Sequence, residues 1–201
     1  MSTSNKPLFI SFEGIDGCGK STQVKILLER LDQEGIDSTL VREPGGTHIS
    51  EEIREVLLTN RDDTMADRTE TLLMTASRAQ LTHDVIIPSQ KKGKFIIADR
   101  FADSTLAYQG GGRGLNLDWL IKLNEFATFG VRTDLTFFID VTAEVGARRR
   151  STVHPIGPGQ RRLGPVLCLS LLVAFQTAGV DRGSLLIRGL CRVPSRFPAL
   201  L

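Results

Sequence analysis

Gly14-Ile15-Asp16-Gly17-Cys18-Gly19-Lys20-Ser21 has the spacing G-x-x-x-x-G-K-[ST] of a loop that wraps nucleotide phosphates. The glycines let the backbone turn tightly and bring its N–H groups onto phosphate oxygens. Lys20 can reach the outer phosphates, and the Ser21 hydroxyl, with Thr22 beside it, can ligate Mg²⁺. Both stand at the first turn of a helix, whose positive end favours an anion. Leu8 to Glu13 supplies the buried strand this motif requires before it, and an amphipathic helix follows. Gly14 to Thr22 therefore forms a candidate ATP and Mg²⁺ site.

A second group of polar residues is scattered along the chain. Arg42, Arg78 and Arg100 come from three segments, and converging guanidiniums would suit a second phosphate. Three unrelated surface arginines are the plain alternative. Asp99 follows an apolar strand, so it could hold Mg²⁺ through water or orient the attacking oxygen, or else simply cap a helix. Tyr108 and Gln109 could stack on and hydrogen-bond a base, or be ordinary helix surface.

The elements that must position these residues alternate in type. Ser38 to Arg42, Phe95 to Ala98 and Leu135 to Val141 read as strands after the first. Between them, Val24, Leu27, Leu28 and Leu31 mark one helix. Ile53, Val56 and Leu57 mark a second, with Ser50 as its cap. A third runs through Leu72, Leu73, Ala76 and Ala79, started by Asp67 and Glu70 in a capping-box pattern and ended before Pro88. Ser104 to Gln109 reads as helical and Gly110 to Gly114 as a loop. Asp118 caps a helix burying Leu120, Leu123 and Ala127, and Ala143 begins another. Nearly continuous apolar strands alternating with helices predict an α/β fold with a parallel sheet covered on both faces.

The composition fits that picture. The chain has 201 residues, 41% of them hydrophobic and 24% charged. Cys18, Cys168 and Cys191 are too far apart for a zinc site or a disulfide framework. The polar start shows no signal peptide, and the longest apolar run, Val166 to Phe175, is half a membrane span. The expectation is a cytoplasmic protein with small-molecule partners, engaging neither nucleic acid nor membrane. The net charge of +2 hides an asymmetry: residues 151–201 hold six arginines, one acid and no lysine.

Phe9 to Thr22, Arg42 to Thr47, Arg78-Ala79-Gln80, Asp99 to Ser104 and Ala107-Tyr108-Gln109-Gly110 together resemble the thymidylate kinase family. The likeness covers residues 8 to about 150. It implies a P-loop nucleoside-monophosphate-kinase-like fold that transfers the ATP γ-phosphate to dTMP, with homodimers usual. By this resemblance Glu13 and Asp16 lie near the acceptor, Asp16 at its 3′-hydroxyl. Arg78 and Arg100 hold the dTMP phosphate and base region with Arg42 close by. Ser104, Tyr108 and Gln109 form the pocket wall, Gln109 recognising thymine. Met74 stands where many members place Phe under the base. Lys20, Asp99 and Arg100 would be catalytic, with Mg²⁺ held at Ser21 and Asp99.

Gly17-Cys18 offers no arginine within the loop, so the chain resembles the bacterial type that supplies it from a lid. Arg148, Arg149 and Arg150 begin that lid, but Ser151 to Gln160 lacks the expected continuation. Residues 1–150 are thus expected to form the kinase core and 151–201 an aberrant tail, read out of frame, or a divergent one. Five of eight prolines lie in that tail, and Ser184 to Ile187 is its one candidate strand. Loss of a lid arginine would impair activity, since such an arginine is worth on the order of 10³–10⁵ in rate. The alternatives are a nucleotide-binding remnant and another nucleoside or nucleotide kinase of this fold.

Overall fold

The computed structural model describes residues 7–59, 64–153 and 184–188. Five strands, β1 (Phe9–Glu13), β2 (Ser38–Arg42), β3 (Phe95–Asp99), β4 (Leu135–Asp140) and β5 (Ser184–Arg188), form one sheet in the order β2-β3-β1-β4-β5. Every pairing is parallel; β1 lies between β3, with Phe12 opposite Asp99, and β4, with Phe12 opposite Phe137. The order jumps on either side of β1, and the crevice at such a switch point is where open α/β sheets take their ligands. β5 lies along β4, so the Ser184 to Ile187 segment does form a strand. The rest of the tail, 154–183 and 189–201, lies outside the described residues, as do the expectations placed on it.

Alternation along the strands divides the core. Phe9, Ile96 and Ala98 point to one face, joined by Val41, Leu81, Ile86 and Phe101. Ile10, Phe12 and Ile97 point to the other, where α1 (Lys20–Gln33) covers them with Val24 and Leu31.

The remaining helices are α2 (His48–Leu58), α3 (Asp67–Leu81), α4 (Ile87–Lys91), α5 (Ala102–Thr105), α6 (Leu117–Ala127) and α7 (Ala143–Val153). Several of their details correct the sequence expectations. α2 is capped by Thr47, whose hydroxyl accepts from the Ser50 amide; Ser50 itself is buried and donates to the Ser77 carbonyl. Val56 on that helix is exposed. α3 has Ala66 at its cap with no side-chain bond, so Asp67 and Glu70 lie inside its first turn. Its inner face is Thr71, Thr75, Ser77, Arg78 and Leu81, while Leu72 and Ala76 face outward. α3 ends at Leu81, before Pro88, but a π-helical turn, Thr82–Ile86, joins it to α4, where the proline takes an early position that needs no N–H. Gly110 to Gly112 likewise belong to a π-helical turn, Leu106–Gly112, continuing α5. Asn116, not Asp118, caps α6 by accepting from the Trp119 amide.

Candidate active site

The loop between β1 and α1 is held by contacts that exclude side chains. A Cβ on Gly14 would lie 2.7 Å from the Ile139 carbonyl oxygen and 2.8 Å from Cys18 Sγ. Gly17, at φ 81°, packs its Cα against the Gly146 backbone of α7. Gly19, at φ 108°, caps α1 in the left-handed region that favours glycine. Lys20 is buried and folds over the loop, donating to the Gly14 carbonyl at 2.9 Å and the Ile15 carbonyl at 3.0 Å. Burial lowers its pKa, as does the Arg100 charge, against partial support from Cys18, Asp16 and Asp99. An ammonium so placed gains from a phosphate that restores its counter-charge. Arg149 of α7 donates to the Cys18 carbonyl at 3.2 Å, which brings one guanidinium of the Arg148–Arg150 run onto the loop.

β3 ends beside this loop. The Ser21 hydroxyl donates to Asp99 Oδ2 at 2.6 Å. A hydroxyl and a carboxylate in contact at the phosphate loop are the hard oxygen ligands that Mg²⁺ takes alongside nucleotide phosphates. Ser21 is exposed and Asp99 half-buried, so both are accessible.

One residue further, Arg100 adopts φ 74°, a left-handed conformation uncommon for a side chain of its size. Its Nη2 donates to Asp16 Oδ1 at 2.5 Å and its Nη1 to Ser104 Oγ at 3.2 Å. The guanidinium lies over the Tyr108 ring, 5.1 Å from its centroid. Burial alone would depress its pKa, but Tyr108, Asp16 and Glu13 reverse that and hold it above the usual range. Tyr108 is pushed up to about 12, mainly by burial. Glu13 is fully buried; its two oxygens accept from the Phe101 amide at 2.8 Å and the Ser104 hydroxyl at 2.6 Å. Burial raises its pKa despite the opposing Arg100 charge.

Arg100, Asp16, Ser104, Tyr108 and Glu13 thus share one contact network, and the neighbouring residues Lys20, with the loop carbonyls, and Ser21, with Asp99, lie next to it along the chain. The other residues singled out in the sequence are held elsewhere. Arg42 pairs with Glu51 at 2.7 Å and reaches the Pro44 carbonyl, in a turn entered through a cis Glu43–Pro44 peptide. Arg78 is 3% exposed and all its donors meet protein acceptors. Its Nε meets the Glu43 carboxylate at 2.8 Å, Nη1 meets Thr105 Oγ1 and Asn124 Oδ1, each at 2.7 Å, and Nη2 meets Glu43 and the Phe101 carbonyl. Losing one member of so buried a pair would cost roughly 3–5 kcal/mol. Met74 is half-buried on α3. Gln109 donates to Glu70.

Glu43, Thr105, Asn124, Glu70 and Gly146 escape a reading of the sequence. Glu43 carried a signal as a charge beside Arg42 at the mouth of a turn, and Glu70 one only as a helix-start residue. Among the described residues no cluster of three metal-ligating side chains occurs, and no helix is long and apolar enough to cross a membrane.

A parallel sheet with a phosphate loop after its central strand, beside a hydroxyl–carboxylate pair and a charged cluster around Arg100, has the form of a P-loop nucleotide kinase. The structure superposes on thymidylate kinase from Ehrlichia chaffeensis with a TM-score of 0.73 and 31% identity, covering 91% of this chain and 93% of that one. The family model described as thymidylate kinase matches residues 12–155. The chain therefore belongs to the thymidylate kinase family. Thymidylate kinase from Fervidobacterium nodosum is 52% identical over 147 residues, 73% of each chain. That from Chlorobaculum parvum is 49% identical over 175 residues, 87% of this chain and 73% of its own. The activity is phosphorylation of dTMP to dTDP using ATP.

Proposed function

We propose that the transfer runs between two subsites meeting at the ends of β1 and β3. Gly14 to Thr22 hold the ATP phosphates through backbone N–H groups, with Lys20 released from its loop carbonyls onto the outer phosphates. Ser21 and Asp99 would hold Mg²⁺, which would supply charge neutralisation at the phosphates when bound. Arg100 takes the dTMP phosphate, and Asp16, already its partner, faces the sugar. Tyr108, Ser104, Met74 and Gln109 wall the base, while Arg42, Arg78 and Glu13 support the pocket. Phosphoryl transfer asks the protein mainly to align donor and acceptor and to offset developing charge. Arg149 is well placed to add positive charge at the loop.

The observation that carries this assignment is the run Asp99-Arg100. Asp99 touches Ser21 of the phosphate loop while Arg100 pairs with Asp16 and covers Tyr108. Two adjacent residues therefore serve the two substrates. We take residues 1–150 as the kinase core and 151–201 as a divergent tail whose β5 joins the core sheet, the working form as a cytoplasmic homodimer, and the partners as small molecules. A purified chain given ATP, Mg²⁺ and dTMP should form dTDP and ADP. Arg100→Ala should raise the KM for dTMP at least tenfold and leave the ATP affinity within about twofold. Equal loss for both substrates would refute the division of labour.

A further inference from the structure

Gln109 is 3% exposed, and its amide has two chemically opposite ends. Its Nε2 donates to Glu70 Oε1 at 2.9 Å. Glu70 is itself held by Arg113, whose Nη2 donates to Oε2 at 3.0 Å and whose Nε lies 3.4 Å from Oε1. Arg113 is steadied in turn by Asp67, 3.4 Å away. A carboxylate paired with a guanidinium has acceptors only, so the group it receives from Gln109 must be the NH₂. The amide cannot invert without setting two acceptors against each other in a nearly closed site.

The opposite end of Gln109 is left available. Among the described residues no donor meets its Oε1, and Thr82 Oγ1 is the only fully buried side-chain polar atom without a partner. Gln109 Oε1 is therefore not sealed in the core. Glu70 enters from the first turn of α3 and Gln109 from the π-helical turn after α5, so the contact also ties the two elements that flank the base wall.

We infer that Glu70 is a specificity-positioning residue: held by Arg113, it locks the Gln109 amide so that an acceptor, never a donor, faces the base. This rests on the assignment of Gln109 to the base wall. An acceptor there selects a pyrimidine whose N3 carries hydrogen, as in thymine and uracil. It opposes cytosine, whose N3 is an acceptor. Sites that hydrogen-bond a substrate group reject analogues lacking it more strongly than apolar pockets can, because a buried polar atom is left unpaired. Glu70 need not touch the nucleotide to set this preference.

Calorimetry on the full chain with dTMP, dCMP and ATP tests the assignment. Glu70→Gln can donate to Gln109 Oε1 and so permits the inverted amide. It should lower the dTMP-over-dCMP affinity ratio at least tenfold and leave ATP affinity within about twofold. Glu70→Asp, which keeps acceptors only, should retain most of the wild-type ratio. Should Glu70→Gln not fold, Arg113→Met loosens the same carboxylate and should lower the ratio about threefold. A purely structural role would weaken both pyrimidine nucleotides in parallel, and an unchanged ratio overturns the inference. If wild type does not bind dTMP, or Gln109→Ala binds it like wild type, the base-wall assignment and the inference fall together. Weakened binding in Gln109→Ala with an intact ratio in Glu70→Gln sinks the inference alone.

Discussion

Asp103 shows how a single residue records the cost of assembling this site. It follows Arg100 by three positions, on the side of the sheet where Glu13 and Arg78 are buried. The Thr136 hydroxyl approaches its Oδ2 at 3.4 Å while also bonding Ser11 at 2.9 Å. Burial, then the nearby Glu13 charge, pushes Asp103 up to about 7, with Arg78 opposing. Since the folded value lies above the unfolded one, the native state holds this proton more tightly than the unfolded chain between the two values. Its contribution to stability is therefore greatest below about pH 4 and is lost as pH rises through about 7. Asp103→Asn removes that dependence. The variant should melt close to wild type at pH 5 and higher than it at pH 8. After discounting for partial exposure the gain is roughly 1–2 kcal/mol, or about 3–8 °C. Melting curves across that range check it, and a constant difference at every pH would contradict it. Asp99 and Arg100 stood out in the sequence because they follow an apolar strand, whereas Glu13 was marked only by the family resemblance. The roles of Asp103 and Glu70 did not show, since nothing in their spacing shows that the fold buries one and aims the other at Gln109.

At the scale of elements, the central strands β1 and β3 were the most legible parts because their residues are mostly apolar and buried. Helix faces were less so. α3 turns Thr71, Thr75, Ser77 and Arg78 inward, and each is satisfied there: Thr71 and Thr75 donate to carbonyls one turn back, Ser77 accepts from the Gly45 amide, and Arg78 pairs with Glu43. A hydrophobic periodicity cannot report a helix whose inner face is polar. The junction of α7 with the phosphate loop is equally silent in sequence, although it supports a sharp prediction. An alanine in place of a mid-helix glycine usually gains up to about 1 kcal/mol. At Gly146, however, a Cβ would stand 2.7 Å from Ile15 Cδ1 and 2.8 Å from the Asp16 carbonyl oxygen. Overpacking of that kind costs roughly 1–3 kcal/mol and must shift either the helix or the loop. Gly146→Ala should therefore lower the melting temperature instead of raising it and weaken ATP binding several-fold. A variant more stable than wild type, with unchanged ATP affinity, would show that the loop does not depend on this contact.

For the molecule as a whole, the charge asymmetry near residue 150 coincides with the point beyond which the sequence motifs stop. The fold, by contrast, continues into β5 from Ser184 to Arg188. The motifs were carried by the phosphate and acceptor sites, whereas an edge strand needs only a short β-prone run, which Ser184-Leu185-Leu186-Ile187 supplies. What the sequence could not show is which apolar residues stay outside. Leu72 is 53% exposed, Trp119 42%, Phe126 83% and Phe129 58%. Leu72 lies on α3, Trp119 and Phe126 on α6, and Phe129 just beyond it; α3 and α6 pack together. Large apolar side chains left exposed on neighbouring helices would suit an association surface. A second copy is the occupant consistent with the proposed homodimer, because a two-fold contact buries the same patch on both chains. Phe126, the most exposed of the four, should then be central to it. Light scattering should give the mass of two chains for wild type and of one for Phe126→Glu at micromolar concentration, because a charge buried without a partner is strongly opposed. The substitution removes an exposed ring, so the monomer's own core should remain folded by circular dichroism. A wild-type chain that scatters as a monomer, or a Phe126→Glu chain that stays dimeric, would move the interface away from this helix.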